Sequence, residues 1–520
     1  MTRKRLPIGT QTLARIRENN CYYVDKTPIA LALIERGTYY FLSRPRRFGK
    51  SLFLDTLKEL FEGNRALFTG LYADDHWDWS ATYPVIHISF GGGVLVSRAD
   101  LVDSIDGQLL RHEIRAGVDG AGLSIRRRFM NLIIALHEQN GRRVVVLVDE
   151  YDKPILDRIE NEDVAIDIRE GLKDFYSVIK DADAHIQFAF LTGVSKFSKV
   201  SLFSGLNNLQ DITLDSRYSA ICGYTEADVD TVFAPELDGL NRNDIRAWYN
   251  GYNWTGETVY NPFDLLLLFD THQFRPYWFE TGTPTFLVKL MTEHRIFTPD
   301  LARLQSSFTL LSSFDVGDIA PEALLFQTGY LTVHNCKEFL PGQWVYTLGY
   351  PNREVESCLN AAMLGAFGAP ERTSYPVRLR LIELLEKCDL SGLRNLFQAF
   401  YASIPYQWYT GNTISNYEGF YVSVFYSYFA AMGLDIRTEE STNHGQIDMA
   451  VTFAGQVYIF EFKVVEDTPA GKALQQIQKM GYADKYRALG HPIHLVGVEF
   501  SRTDRNIVGF EVETISGMAE

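Results

Sequence analysis

Hydrophobic positions recur along this chain in three textures. Over about the first 220 residues, short apolar runs alternate with stretches of helical period. YYFL (39–42) is followed, after a turn, by SLFLDTLKELFEG, where Phe53, Leu57, Leu60 and Phe61 fall at helical spacing and Gly63 is a stop. YPVIHISF, VVVLVDE (144–150) and HIQFAFLTG (185–193) read as further strands. VVVLVDE is β-branched and apolar almost throughout, as a strand buried on both faces is. Strands alternating with helices predict a parallel sheet with helices on both faces.

From about Gly223 to about Tyr350 the texture changes. GYTEADVDTVF predicts a capped helix start at Thr225. WYNGYNWTGETVYNPFDLLLLF is aromatic and turn-rich, then helical. The region reads as a helical or winged-helix-like lid, and 351–400 as mostly helical. The last 120 or so residues form a third texture. ISNYEGFYVSVFYSYFAAMG is an apolar helix ending at Gly433. LDIRTEES, GQIDMAVTF, QVYIFEFKVV, PIHLVGVEF and NIVGFEVETI read as strands, with a helix, GKALQQIQKMGYADKYRALG, between the third and fourth. The expected fold class is multidomain α/β: residues 1–222, then a lid and linker region over 223–400, then 401–520.

Composition narrows the classes. A chain of 520 residues has room for about three or four domains of about 100–200 residues. Hydrophobic residues at 46% and charged residues at 22% read as soluble and globular. No apolar stretch reaches the roughly 20 residues that span a bilayer. The basic start MTRKRLPIGT has no apolar segment after it, so no export signal is expected. Five scattered cysteines form no CxxC pair, which fits a reducing cytoplasm rather than a zinc site or disulfide framework. The net charge of −15 argues against a general nucleic-acid coat but leaves room for a local basic channel. Arg126, Arg127 and Arg128 read as a solvated helix face.

Chemistry enters at RPRRFGKS (44–51). Its end, Gly49-Lys50-Ser51, is that of a phosphate-binding loop, in which backbone N–H groups at a helix start cradle phosphates, lysine adds charge and the hydroxyl meets magnesium. The expected first glycine is Arg44 here. That is tolerable where residue 44 keeps a negative φ, which Pro45 favours. Arg44, Arg46 and Arg47 are either phosphate contacts or structural anchors. Phe48 completes the loop. Asp149, closing VVVLVDE, is the expected second magnesium ligand, and Glu150 the base that polarises water. Thr192 is either a γ-phosphate sensor or an ordinary strand-end threonine, with Ser195 the weaker sensor.

RPRRFGKS, together with IRENNCYYVDKT (16–27) and VDEYDKPI (148–155), resembles the AAA-ATPase-like family found fused to a PD-(D/E)XK nuclease domain. The resemblance covers roughly residues 4–215. It implies a prokaryotic ATPase with Tyr23, Asp25 and Lys26 near the nucleotide; a surface turn before the first helix is the alternative. Related ATPases assemble, so a homo-oligomer is an expectation. Arg217 is either an arginine completing a neighbour's site or a surface ion-pair residue.

Near the C-terminus, GQIDMAVTFAGQVYIFEFK reads as two alternating runs joined by a two-residue loop, Ala454-Gly455. Pairing Phe453 with Gln456 puts Asp448 directly opposite Glu461, Cβ atoms about 4.5–5.5 Å apart. Lys463 points to the same face. Facing carboxylates call for a cation between them, and oxygen ligands suit magnesium, or manganese. The Phe462 carbonyl is a further ligand and Lys463 the group that assists water. The alternative is an exposed hairpin with a charge cluster. The order helix, three strands, helix, strand resembles the PD-(D/E)XK superfamily over about 405–505. That resemblance adds Gln476 and Tyr482, and Glu418, which is otherwise a helix-surface glutamate. His444 is read as a turn residue.

The expectation is therefore an ATP- and magnesium-dependent protein whose second domain cuts DNA or RNA under ATP control. The alternative is a nucleotide-switched regulatory or binding module with an inactive nuclease fold.

Overall fold

Among the described residues, five strands make the N-terminal sheet: β1 (Tyr39–Ser43), β2 (Val85–Ser89), β3 (Val144–Asp149), β4 (Ile186–Gly193) and the short β5 (Gln210–Asp211). Their order is β2-β3-β4-β1-β5, and all four pairings are parallel. Every residue of β3 is buried, as its unbroken apolar run requires. From β1 the chain crosses to β2 at the far edge, while β5 lies on β1's other side. Such a switch point opens a crevice at the carboxyl ends of the strands. Into it leads helix α1 (Lys50–Phe61), whose Phe53, Leu54, Leu57, Leu60 and Phe61 are buried.

The structure describes residues 3–196, 208–281, 285–294, 296–308, 311, 316–317, 319–367, 369, 371–403, 418–442 and 445–516. The chain divides into two units, Met1–Thr281 with Gln305–Asn352, and Gly282–Leu304 with Arg353–Glu520. The expected middle region is thus shared between them. Its first part packs on the first unit: Val229, Phe233, Ile245, Tyr249 and Leu265 form one core with Tyr22 and Val24. The helix at Glu226–Val232 starts as read, with a capping box between Thr225 and Asp228. A helix (Pro321–Thr328) and a hairpin (Thr332–Leu340 with Gln343–Gly349) belong to the same unit. The helices of 353–403 belong to the second unit.

The basic run of 126–128 departs from the solvated face expected of it. Arg128 is buried, bonded to both Glu113 carboxylate oxygens and to Asp106, because the preceding helix (Arg98–Ala116) presents acids to it. Arg126 pairs with Asp174 and Asp181.

In the second unit, five strands, β6 (Asp435–Ser441), β7 (Gln446–Phe453), β8 (Gln456–Val465), β9 (Ile493–Ser501) and β10 (Asn506–Ile515), form one sheet in the order β10-β9-β8-β7-β6. Only β8 and β9 pair in parallel. Side chains alternate across it. Phe460 and Phe462 face helix α2 (Glu418–Ala430), packing edge-to-face against Phe425. Ile459, with Ile447 and Val457, faces helix α3 (Lys472–Met480) at Ile477. The single helix expected over 471–490 ends as an α-helix at Gly481, whose φ of 60° suits glycine, and goes on as a 3₁₀ segment, Tyr482–Leu489. No helix among the described residues is long and apolar enough to cross a membrane.

Candidate functional sites

Residues 44–51 leave the end of β1 and wrap the start of α1. Gly49 takes φ 91°, and Arg47 φ 66°; Arg44 keeps a negative φ. Arg44 is fully buried and acts as an anchor. Its guanidinium donates to the carbonyls of Ser43, Thr213 and Tyr218 at 2.8, 3.0 and 3.0 Å, and stacks 4.0 Å over the Trp254 ring. Burial pushes its pKa down to about 10, which leaves it charged at neutral pH. Two more groups hold the loop from outside. Trp278 Nε1 donates to the Arg46 carbonyl at 3.1 Å, and Gly223 N to the Phe48 carbonyl at 3.2 Å. The Phe48 ring is buried edge-on against Tyr252 and Trp254. A Cβ on Gly329, which has φ 92°, would come within 2.6 Å of Pro45, so the loop needs glycine there too.

Over this loop lies a cavity of about 500 Å³, lined by Arg46, Arg47, Phe48, Gly49, Lys50, Ser51 and Glu150 on one side. Tyr23, Lys26, Tyr224, Phe263 and Leu266 line the other. Lys50 is buried, and its Nζ donates to the Arg44 and Pro45 carbonyls, both at 2.9 Å. Burial lowers its pKa, opposed by Asp149 and Glu150. Glu150 takes φ 51°, and its pKa is raised by burial and then by Asp149 beside it. Thr192 spends its hydroxyl on Asp149 Oδ1 at 2.9 Å. Ser195 is bound through Oγ to Asp152 at 2.6 Å.

Lys26 pairs with Asp228 at 3.0 Å. Asp25 is turned away as a cap, accepting from Thr27 N, Thr27 Oγ1 and Tyr72 N. Arg217 is an exposed residue paired with Asp215, the surface ion-pair alternative. The sequence reading passed over Asp152, a fully buried acid that accepts from Val194 N, Ser195 N and Ser195 Oγ and so shapes the end of β4. Its signal was the third acid of VDEYDK, two residues past Glu150.

In the second unit the β7–β8 register is the one read from the sequence. Phe453 pairs with Gln456, and the ladder runs back to Met449 with Phe460. Ala454 and Gly455 both have positive φ, 49° and 72°, as a two-residue hairpin demands. One step beyond that ladder lie Asp448 and Glu461. Asp448 Oδ2 accepts from Phe462 N at 2.9 Å. Glu461 is fully buried, and Lys463 Nζ bridges Glu461 Oε1 and the Phe462 carbonyl, 2.9 Å to each. Tyr482 donates to the Gln446 carbonyl at 2.7 Å and bonds Gln476. Its pKa is raised by burial, with Glu461 and Asp448 adding to the rise. Glu418 opens α2, but its side chain and all of His444 lie outside the described residues. Among the described residues no three acids, histidines or cysteines converge as a metal cluster. The donor set is two carboxylates and a carbonyl, all hard oxygens, which fits magnesium or manganese.

A glycine-lysine-serine turn opening onto a parallel sheet of this order defines a P-loop nucleotide-binding fold. A mixed sheet carrying Asp448…Glu461-Phe462-Lys463 between two helices defines a nuclease-type fold. Comparison agrees with both: residues 7–203 match the family described as predicted AAA-ATPase, and residues 416–510 the PD-(D/E)XK nuclease superfamily. The chain is also 62% identical, over 517 residues covering 99% of it and 100% of the relative, to an "Uncharacterized protein in vnfD 5'region" of Azotobacter chroococcum mcd 1. It belongs to this family of AAA-ATPase-like proteins with a C-terminal PD-(D/E)XK nuclease domain.

Proposed function

We propose that the first unit binds and hydrolyses ATP and that the second cleaves phosphodiester bonds of DNA or RNA. The ATP reading rests on the convergence of Lys50, Ser51 and Glu150 on one cavity, with Asp149 at the adjoining strand end. The loop's N–H groups and Lys50 hold the phosphates, and the apolar wall of Tyr224, Phe263 and Leu266 takes the base. Arg46 and Arg47 add positive charge to the same cavity, where the Arg47 guanidinium lies 5.0 Å over the Phe263 ring. Ser51 and Asp149 would hold Mg²⁺, which neutralises phosphate charge. Glu150 takes the proton of the attacking water; its raised pKa suits it to that task.

The nuclease reading rests on the strand register that sets Asp448 beside the Glu461-Phe462-Lys463 strand. Asp448, Glu461 and the Phe462 carbonyl would hold a divalent ion, which activates water and screens the phosphate. Lys463 releases Glu461 and turns its charge on the scissile phosphate. Gln476 and Tyr482 flank the site. The ATPase function belongs to the unit Met1–Thr281 with Gln305–Asn352 and the nuclease function to the unit that holds 401–520, and in the proposal ATP state governs cleavage. Incubation of single- and double-stranded DNA and RNA with Mg²⁺ or Mn²⁺, with and without ATP, tests it. Loss of cutting in Asp448→Ala, and loss of its ATP dependence in Lys50→Ala, are expected. Cutting by Lys50→Ala at an unchanged rate and ATP dependence would sink the coupling.

One observation favours a second reading. Lys463 sits on the very oxygens, Glu461 Oε1 and the Phe462 carbonyl, that a metal needs. A chain that kept that pair closed would be a nucleotide-switched binding module. Wild type showing no metal-dependent cleavage of any of the four substrates would establish it over the nuclease.

A further inference from the structure

PIHLVGVEF supplies β9, whose nine residues are all buried. An acid, Glu499, interrupts its apolar run, and it is only 2% exposed. Its carboxylate is bound by four backbone amides in a row. Oε2 accepts from Ala470 N and Gly471 N at 2.5 and 3.1 Å, and Oε1 from Lys472 N and Ala473 N at 2.7 and 3.4 Å. These are the orphan donors that open α3, so the carboxylate both satisfies them and meets the positive end of the helix dipole.

Two residues earlier on the same face, Gly497 lets the helix lie directly on the strand. A Cβ there would fall 2.4 Å from Leu474 N and 2.9 Å from Leu474 Cα. The parallel register pairs Gly497 with Glu461 and Glu499 with Lys463. The two contacts that dock α3 are therefore the strand neighbours of the two residues that carry the proposed chemistry. From its middle turn α3 delivers Gln476 to Tyr482, which is tied to the Gln446 carbonyl at the start of β7.

We infer that Glu499 is a positioning residue: through the four amides opening α3 it sets Gln476 and Tyr482 against Asp448, Glu461 and Lys463. The inference rests on the nuclease reading for its functional half only. Glutamine at 499 keeps the shape but replaces one accepting oxygen with a donor that opposes two of the amides. Aspartate keeps the charge one methylene short.

The test compares Glu499→Gln, Glu499→Asp and Gly497→Ala in the full chain. Expected in Glu499→Gln is a fall in kcat of about tenfold or more, with KM for nucleic acid within about twofold. Glu499→Asp should recover part of the loss, and Gly497→Ala should reproduce it. In a Gln476→Ala background Glu499→Gln should cost much less, because the group it places is gone. A lowered melting temperature with unchanged kcat, or full additivity with Gln476→Ala, would overturn the positioning role and leave an ordinary helix cap. Hydrogen exchange gives a readout without activity. Amides of 472–478 should lose protection in Glu499→Gln while those of β7 and β8 keep theirs. Unchanged protection refutes the clamp itself. A wild type that cuts nothing, with protection lost as expected, refutes the nuclease reading and leaves the clamp standing.

Discussion

The two sites hold their charges in opposite ways. At the first, the charge that matters sits on a loop, and the loop is held from a distance: Arg44 reaches Thr213, Tyr218 and Trp254, and Trp278 reaches back to Arg46. At the second, Asp448, Glu461 and Lys463 stand on adjacent strands and are placed by hairpin register. A loop can be built from almost any backbone if enough partners pin it. A hairpin needs no outside help but permits one register. The first site is thus robust to a missing glycine and vulnerable through remote residues, whereas Asp448, Glu461 and Lys463 of the second are placed first by the hairpin's own register.

The largest expected effect is at the second site. Asp448→Ala or Lys463→Ala should lower metal-dependent cleavage about 10³-fold, roughly 4 kcal/mol of barrier. Retained cleavage would move the chemistry elsewhere. At the first site, Lys50→Ala should lower ATP turnover about 10²–10³-fold. Glu150→Gln should keep ATP bound while stopping turnover, and loss of binding instead would make Glu150 a structural acid.

The comparison is sharpest at Arg44. Arg44→Gly restores the usual loop glycine, yet it deletes three hydrogen bonds from a charged group and a stacking contact. Unfolding free energy of the first unit should drop by about 3–4 kcal/mol, with ATP affinity falling too. A stabilised or tighter-binding variant would show that the loop does not depend on remote pinning.

A smaller effect is expected of pH on the second unit. The Glu356 carboxyl bonds the Tyr426 hydroxyl at 3.0 Å. Burial raises its pKa to about 7 from 4.5, against the pull of Tyr426 and Arg353 and with help from Asp435. Between those values the native state binds more protons than the unfolded one. Stability therefore falls as pH rises from 4.5 to 7 and levels off above, by up to about 3 kcal/mol. Glu356→Gln should flatten that slope, read from hydrogen exchange in helix Arg353–Ala366 at pH 5 and pH 8. The smallest effect is at Arg217. Arg217→Ala should change stability by less than about 0.5 kcal/mol, since an exposed pair contributes little. A collapse of ATP turnover would reinstate it as an arginine acting on a neighbouring copy.

How far these sites were legible follows from the same contrast. The hairpin was readable because alternation and a two-residue loop leave one pairing, so Asp448 and Glu461 could be set side by side without coordinates. Gly49, Lys50 and Ser51 were readable because their spacing is local. Arg44's role was not. Apart from the adjacent Ser43 carbonyl, its partners lie 169 residues on or further, and no periodicity links Arg44 to Thr213 or Trp254. Arg128 was hidden in another way: Arg126 and Arg127 beside it are exposed, while Arg128 turns in with Phe129 and meets Glu113 on the preceding helix. Glu499 left a trace, an acid within an apolar strand, but its meaning needed α3 to be placed over it.

The aromatic pinning of the nucleotide loop also bears on where this chain can be cut. The matched ATPase family region stops at residue 203, before Thr213, Tyr218, Gly223, Tyr252, Trp254 and Trp278. A fragment ending there, or at 222, would carry every residue of the phosphate loop yet strip the guanidinium of Arg44 of its stacking partner and the carbonyls of Arg46 and Phe48 of their donors. A fragment that keeps the loop pinned is expected to need those remote partners, all of which lie in the compact unit Met1–Thr281 with Gln305–Asn352.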